Sequence, residues 1–243
     1  MDTKLKKHVH LSPRLEAIAE MLSGVNNAAD VGCDHGRLSV ALVQRGIVHR
    51  VRASDISEVS LNKARRLARI CGVSSDIRFE SADGLECLTP GEADGIIMAG
   101  MGGELIAKML EKGGETARCA KRLVLQPMRG AEELRYYLNQ NNYDILDERL
   151  VLDSGRIYQV ICAHDGTPEQ CPQGFPKDAL YIGWRMAVNR DPLLPTLINS
   201  YRRRIEKRLA HALAAGSRPP ALIIKLKQLD EIEAFMEGYN DED

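Results

Sequence analysis

The sequence predicts an α/β protein: an open, doubly wound sheet of seven strands followed by a C-terminal antiparallel helical hairpin of coiled-coil-like pattern. Three observations predict it. A strand, a tight loop and a helix start are compressed into Ala29-Asp30-Val31-Gly32-Cys33-Asp34-His35-Gly36-Arg37-Leu38. Short apolar runs ending in acid or glycine then alternate with helical periodicities as far as Asn139, the pattern of βα units in a parallel sheet. Beyond a Pro/Gly-rich stretch from Asp165 to Pro176, two long stretches of three-and-four apolar spacing flank a proline break.

Composition narrows the class. The 243 residues are 44% hydrophobic and 28% charged, an ordinary globular balance. No apolar run approaches the roughly 20 residues that span a bilayer, and Met1-Asp2-Thr3-Lys4-Leu5-Lys6-Lys7-His8 lacks the apolar centre of a leader peptide. A cytoplasmic protein with no membrane partner is expected. The cysteines at 33, 71, 87, 119, 162 and 171 form no C-x-x-C pair and have no histidine cluster beside them, so neither a metal site nor a disulfide framework is expected. A net charge of −1 gives no whole-molecule signature of nucleic-acid binding, although a local basic face would suffice.

Taken in order, Ser12-Pro13 has the form of a helix start, with Leu15, Ile18, Ala19 and Leu22 at helical spacing and Gly24 as the stop. After the loop and its helix from Leu38 to Arg45, His49 to Asp55 reads as a second strand ending in an acid. Asp55 lies 19 residues beyond Gly36, close to the spacing of about 20 at which a doubly wound fold places a ribose-binding carboxylate. Ser57 is placed to cap a helix to Cys71, whose expected apolar side is Val59, Leu61, Ala64, Leu67, Ala68 and Ile70. The strand Ile77–Glu80 leads into Ser81-Ala82-Asp83-Gly84, where Asp83 can accept from an exocyclic amine. A fourth strand, Asp94–Ala99, runs into Gly100-Met101-Gly102-Gly103, read as a floor with little side chain over it, and a helix through Leu105, Ile106, Met109 and Leu110. Leu123–Leu125 is the fifth strand, followed by the loop Gln126-Pro127-Met128-Arg129 and a helix from Ala131. Tyr143–Leu152 and Ile157–Ala163, joined by Asp153-Ser154-Gly155-Arg156, form a closing hairpin.

The expected domains are residues 1–166 and 177–243. In the second, helices are expected at 177–189, 192–215 and 221–238. Leu194, Ile198, Tyr201, Ile205, Leu209 and Ala212 would face Leu222, Leu226, Leu229, Ile232 and Phe235 across the seam. Arg202, Arg203, Arg204 and Lys207, with Arg208, form the densest basic cluster, expected opposite that seam, as a solvated face or a contact for phosphates.

The loop does not carry the G-x-G-x-x-G of dinucleotide enzymes. Its acid-x-G-x-(G)-x-G spacing resembles motif I of class I S-adenosylmethionine-dependent methyltransferases, with Asp34 where the middle glycine is usual. The wider chain resembles the bacterial TrmK family of tRNA (adenine-22 N1)-methyltransferases. The resemblance is carried by Leu11-Ser12-Pro13-Arg14-Leu15, Asp34-His35, Ile97-Met98-Ala99-Gly100-Met101-Gly102-Gly103, Leu125-Gln126-Pro127 and the terminal hairpin. It departs from the family at Gly36 and Arg37, usually a small apolar residue and tyrosine, at Met128, usually asparagine, and at Asp55, usually glutamate.

The resemblance implies a Rossmann-like class I methyltransferase fold and methyl transfer from S-adenosylmethionine to N1 of an adenine in tRNA, leaving S-adenosylhomocysteine. The expected cofactor residues are Asp30, Gly32, Cys33, Gly36, Asp55, Ile56, Ala82, Asp83, Gly84, Ala99 and Gly100. The family's catalytic aspartate maps onto Asp34, with His35 beside it either orienting the site or bonded within the loop. Met101, Gly102, Gly103, Gln126, Pro127 and Met128 are the expected walls of the base pocket, and Arg202, Arg203, Arg204 and Lys207 the expected contacts to tRNA. A monomer or weak homodimer is expected. The rival readings are a methyltransferase acting on a small molecule or protein, and a non-catalytic S-adenosylmethionine-binding module that dimerises through its hairpin.

Overall fold

A computed structural model describes residues 8–239. Residues 1–7, read above as lacking the apolar centre of a leader peptide, and the last four residues of the expected second domain lie outside the described residues. The sheet has seven strands in the order β3-β2-β1-β4-β5-β7-β6. Strands β1 (Asn27–Val31), β2 (Arg50–Asp55), β3 (Ile77–Ser81), β4 (Gly95–Gly102) and β5 (Arg122–Arg129) are parallel. β6 (Tyr143–Asp153) and β7 (Arg156–Asp165) close it as an antiparallel pair through Ser154 and Gly155, both at positive φ as a two-residue hairpin turn requires. β1 and β4 are neighbours although consecutive strands run outward from each, which makes their carboxyl ends the switch point of the sheet.

Helices α1 (Pro13–Glu20), α2 (Arg37–Gln44) and α3 (Glu58–Cys71) pack on one face, and α4 (Gly103–Gly113), α5 (Glu115–Arg118) and α6 (Ala131–Gln140) on the other. Ser57 caps α3 as expected, accepting from the Ser60 N–H, a contribution of about 1 kcal/mol. The buried stripe of α3 is Leu61, Ala64, Ala68 and Cys71. Val59 and Ile70, expected on that side, are exposed because they fall off the 3.6-residue stripe.

Both strand ends at the switch point run further than expected. Gly100-Met101-Gly102 is not a loop: β4 continues through it across register shifts, pairing Met101 with Pro127 and Gly102 with Arg129. Gln126, Pro127 and Met128 are therefore strand residues of β5.

Past β7, the helix expected at 177–189 shortens to α7 (Trp184–Val188), with turns over the preceding residues. α8 (Leu194–Ala214) and α9 (Pro220–Gly238) form the expected hairpin. Its seam is buried at Leu194, Ile198, Ile205, Leu229, Ile232 and Phe235, and opens towards the tip, where Leu209, Ala212, Leu222 and Leu226 are half-buried. Leu150 of β6 belongs to the same apolar cluster as the hairpin. Beneath it, Arg135 of α6 donates to Glu148 (2.7 Å), Gln159 (2.6 Å) and the Leu180 carbonyl (2.9 Å), a buried ion pair that joins α6, the sheet and the segment before α7.

Candidate functional site

A cleft of about 650 Å³ opens at the carboxyl ends of β1 and β4. Asp30, Gly32, Cys33, Asp34, His35, Asp55, Ile56, Ala82, Asp83, Gly84, Ala99, Gly100 and Met101, all singled out from the sequence, line it. Gly36 does not. It sits behind the loop at φ 69°, where an added Cβ would stand 2.6 Å from the Ala64 Cβ of α3. It serves the close packing of loop and helix.

The loop spends its own backbone donors. Gly32 and Cys33 donate to the Ser54 carbonyl (2.8 and 2.9 Å), Gly36 donates to the Cys33 carbonyl (2.8 Å), and Asp34 donates to Asp55 Oδ2 (2.9 Å). Asp55 Oδ1 accepts from the Ser57 N–H (2.8 Å), so both carboxylate oxygens are held by main chain and each keeps a second acceptor position for a ligand. Asp34 adopts a left-handed φ of 49°, which carries its side chain to the mouth of the cleft. There its carboxylate is 70% exposed, accepts from Ser60 Oγ (3.2 Å), and lies 3.5 Å from His35 Nε2. That imidazole nitrogen also lies 3.2 Å from Lys63 Nζ, so His35 is tied towards α3 rather than across the cleft.

Asp30 is the buried acid of the site. It accepts from Ser39 Oγ (2.5 Å), and burial pushes its carboxyl up to about 6, against the opposing Ser39 hydrogen bonds. Burial also pushes the Cys33 thiol far up, which leaves it a neutral, unreactive group in the loop. Asp83 at the other end accepts from Lys112 (3.4 Å) and is exposed. Asp30 and Asp55 thus place acceptors for an ammonium or a diol along one wall, and Asp83 an acceptor for an exocyclic amine at the far end.

The substrate side differs from the expectation. Met101 lies over Gly32, where a Cβ would collide with its Cε, so it belongs to the cleft itself. Gly103 is buried, its Cα packed on the Gly130 carbonyl at the α4–α6 contact, and cannot be a floor. Gln126 and Pro127 are buried and do not reach the cleft surface, and Met128, 45% exposed, stands outside it. Gly102 lies beside Arg129, also off the lining. On the hairpin, Arg202 is not part of a free basic face: it donates to Asp230 (2.6 Å) and Glu233 (2.5 Å) of α9. Arg203, Arg204 and Lys207 are exposed, with Arg204 over the Tyr201 ring.

Sequence reasoning missed seven lining residues: Arg14, Leu15, Val31, Arg37, Leu38, Leu105 and Met109. Leu105 and Met109 were read as part of one apolar side of α4, but only Ile106 and Leu110 enter the core, and the other pair faces the cleft. Arg37 donates to the His10 carbonyl (2.5 Å), and Arg14, on α1, donates to Gln126 Oε1 (2.5 Å). The signal for Arg14 was present in Leu11-Ser12-Pro13-Arg14-Leu15: a cation in the first turn of a helix, where the helix dipole favours acids.

A methyltransferase-domain family model matches residues 11–161. The tRNA (adenine(22)-N(1))-methyltransferase of Bacillus subtilis is 34% identical over 169 residues, 70% of this chain and 71% of that protein. The chain belongs to this methyltransferase family. The crystal structure of the B. subtilis m1A22 enzyme TrmK superposes with a TM-score of 0.79 at 28% identity, over 95% of this chain and 98% of that one. A Streptococcus pneumoniae protein solved in complex with S-adenosyl-L-methionine gives a TM-score of 0.81 at 25% identity, over 92% and 99%. Because these likenesses run past the methyltransferase domain, they include the helical hairpin. Among the described residues there is no cluster fit to hold a metal ion, and no helix is long and apolar enough to cross a membrane.

Proposed function

We propose that this chain transfers a methyl group from S-adenosylmethionine to N1 of an adenine in tRNA, position 22 by its family. The observation that carries this reading is the pairing of a buried acid, Asp30, at the head of the cleft with an exposed one, Asp34, at its mouth. The residues fit the cofactor. Asp30 would face the ammonium of its methionine part, Asp55 the ribose hydroxyls and Asp83 the adenine amine, between the apolar surfaces of Ile56, Met101, Leu105 and Met109.

Bound there, S-adenosylmethionine supplies an electrophilic sulfonium methyl. Adenine N1 already carries a lone pair, so the chain needs no strong base to create the nucleophile. Its work is alignment, the largest contribution in such transfers, and stabilisation of the positive charge that appears on the base. Asp34 is placed for the second task, because its carboxylate stands at the open mouth where the base arrives, steadied by Ser60. It can also accept a proton from N6.

Arg203, Arg204 and Lys207 on the exposed side of α8 supply cations for the tRNA backbone. The reading includes two domains at the expected boundaries, a cytoplasmic site of action, and a monomer or weak homodimer, which sedimentation at working concentration checks. The test of the activity is labelled S-adenosylmethionine with unmodified tRNA transcripts, wild type against Asp34→Asn, with the product nucleotide mapped. The expected result is label at N1 of an adenine and a turnover in the variant lower by two or more orders of magnitude, with cofactor affinity retained. Equal loss of turnover and cofactor affinity would remove Asp34 from catalysis, and absence of label in the wild type would overturn the substrate.

A further inference from the structure

We propose that the outer face of α3, together with the hollow between α3 and β3, is an electrostatic landing surface for an RNA backbone, and that it carries more of the binding charge than the helical arm does. The inference deepens the reading above and rests on it for the identity of the polyanion.

The sequence distributes its charge unevenly. The whole chain has 33 lysines and arginines against 34 acids, yet residues 35–78, from the motif I loop into the edge strand β3, hold nine against three. Residues 177–243, which contain the arm, hold eleven against ten. Part of the arm's basic cluster is also spent, since Arg202 is paired with Asp230 and Glu233. A nearly neutral protein that binds a polyanion must do so through a local face, and the larger local excess lies on the first βαβ unit.

The fold brings that excess to one surface. α3 buries Leu61, Ala64, Ala68 and Cys71, which leaves Lys63, Arg66 and Arg69 exposed on its outer side. Among the described residues neither Arg66 nor Arg69 makes an ion pair or a side-chain hydrogen bond. An ordinary solvated helix face alternates charges three or four residues apart, which stabilises it. Here the pairs at that spacing, Lys63 with Arg66, Arg66 with Arg69 and Arg65 with Arg69, are all of like sign. The one acid of the helix, Glu58, is taken by Arg65 at 2.5 Å. Such a helix carries a repulsion that an anionic ligand removes.

The second feature is concave. A hollow of about 380 Å³ between α3 and β3 is lined by Arg65, Arg69, Ser74, Ile77, Arg78 and Phe79, with no acid in its lining. Arg65 and Arg78 each have one carboxylate neighbour outside it, Glu58 and Glu80, and Arg69 has none. Three guanidiniums and a hydroxyl around one hollow are donors suited to phosphate oxygens, which guanidinium engages in bidentate fashion. From the hollow the cations continue through Arg66 to Lys63, whose ammonium lies 3.2 Å from Nε2 of His35 on the lining of the cleft. The surface therefore reaches the mouth where the substrate enters, which favours the substrate's own backbone as its occupant.

The test compares two triple variants of the full chain: Arg66→Gln, Arg69→Gln and Arg78→Gln on the α3 surface, and Arg203→Gln, Arg204→Gln and Lys207→Gln on the arm. None of the first three residues lines the cleft, so melting temperature and calorimetric affinity for S-adenosylmethionine should match wild type. Binding of an unmodified tRNA transcript is measured by filter retention between about 50 and 200 mM salt. The α3 variant should bind about ten- to a hundredfold more weakly at the low-salt end, with a salt slope shallower by about two, and the arm variant should lose less on both counts. KM for tRNA should rise by the same factor while kcat at saturating tRNA holds.

Arg66→Lys, Arg69→Lys and Arg78→Lys together keep the charge and should keep the salt slope and most of the affinity. A lysine variant as weak as the glutamine one would show a structural role and overturn the proposal. Unchanged tRNA affinity and salt slope in the α3 glutamine variant would overturn it too, leaving the surface to a protein with an acidic face, as would a larger loss in the arm variant. A wild type that binds no tRNA overturns the substrate reading and this one together. A wild type that methylates tRNA beside an α3 variant that binds it normally overturns this one alone.

Discussion

Asp30→Asn tests the electrostatics of the cleft, because its two consequences have opposite signs. The Asp30 carboxyl is raised from 3.8 to about 6, chiefly by burial, with Asp55 adding and Ser39 opposing. At about 1.36 kcal/mol per unit, that shift is worth roughly 3 kcal/mol. The folded state holds this proton more tightly than the unfolded chain. Its contribution to stability is therefore complete below about pH 4, is lost as pH rises through about 6, and stays lost above. Asparagine keeps an oxygen for Ser39 but never ionises. Relative to wild type it should then be more favourable at pH 7.5 than at pH 4 by roughly 3 kcal/mol, whatever constant cost its buried amide donor adds. On the proposed reading, in which Asp30 faces the cofactor's ammonium, cofactor affinity should also fall about tenfold. Urea unfolding of both proteins at the two pH values, without ligand, measures the first effect, and calorimetry at pH 7.5 the second. A stability difference that is the same at both pH values refutes the claim that a buried charge is held there against its own desolvation.

Gly36→Ala should cost about 2–4 kcal/mol in urea unfolding, combining a left-handed backbone with a Cβ pressed 2.6 Å from that of Ala64; a cost under 1 kcal/mol would show that α3 is free to retreat. Arg203→Glu with Arg204→Glu should weaken tRNA binding in a filter assay and flatten its salt dependence, whereas Arg202→Ala, which breaks the contacts to Asp230 and Glu233, should lower the melting temperature and leave the salt slope alone. Arg135→Met should destabilise by about 3–5 kcal/mol because it strands Glu148 in the interior, and adding Glu148→Leu should recover most of it in a double-mutant cycle.

The order of elements was legible because each βα unit carries its own punctuation: an acid or glycine stands at or just beyond the end of the strand, and Ser57 caps α3. Ser57, Gly72 and the Ser154-Gly155 turn stand where local chemistry puts them. What was not legible depended on partners distant in sequence. Gly100-Met101-Gly102 has the composition of a loop, and only pairing with Pro127 and Arg129 makes it strand. Gln126 has the polarity of a pocket wall, and only the meeting of Arg14 and the Gly100 N–H explains why a glutamine is buried. Arg202 is indistinguishable from Arg203 along the chain, yet the helix turn between them points one at the acids of α9 and leaves the other in solvent. The hairpin's register decides that, and no local pattern encodes it. Within the cleft, the acids were found because each stands at or just past the carboxyl end of a strand, whereas Leu105 and Met109 were hidden because a helix under a cleft is apolar on two sides.

The same long-range ties decide how the mouth of the cleft is assembled. Arg14 and Gln126 are 112 residues apart, and the Asp153 turn that anchors α1 belongs to the last strand pair of the sheet. The motif I loop, by contrast, is stabilised by near neighbours: Ser54, Asp55, Ser57 and Ser60 hold it within a single βαβ unit. The wall that carries Asp30, Asp34 and Asp55 is therefore held within the first half of the sheet. The Arg14 guanidinium depends instead on β5 and on the β6–β7 turn. β6 is also the strand that carries Leu150 into the hairpin's apolar cluster and Glu148 into the pair with Arg135. One antiparallel pair thus fixes both the donor group beside Gly100 and the base of the helical arm, so the direction in which the arm presents Arg203 and Arg204 is set by the same strands that set Arg14.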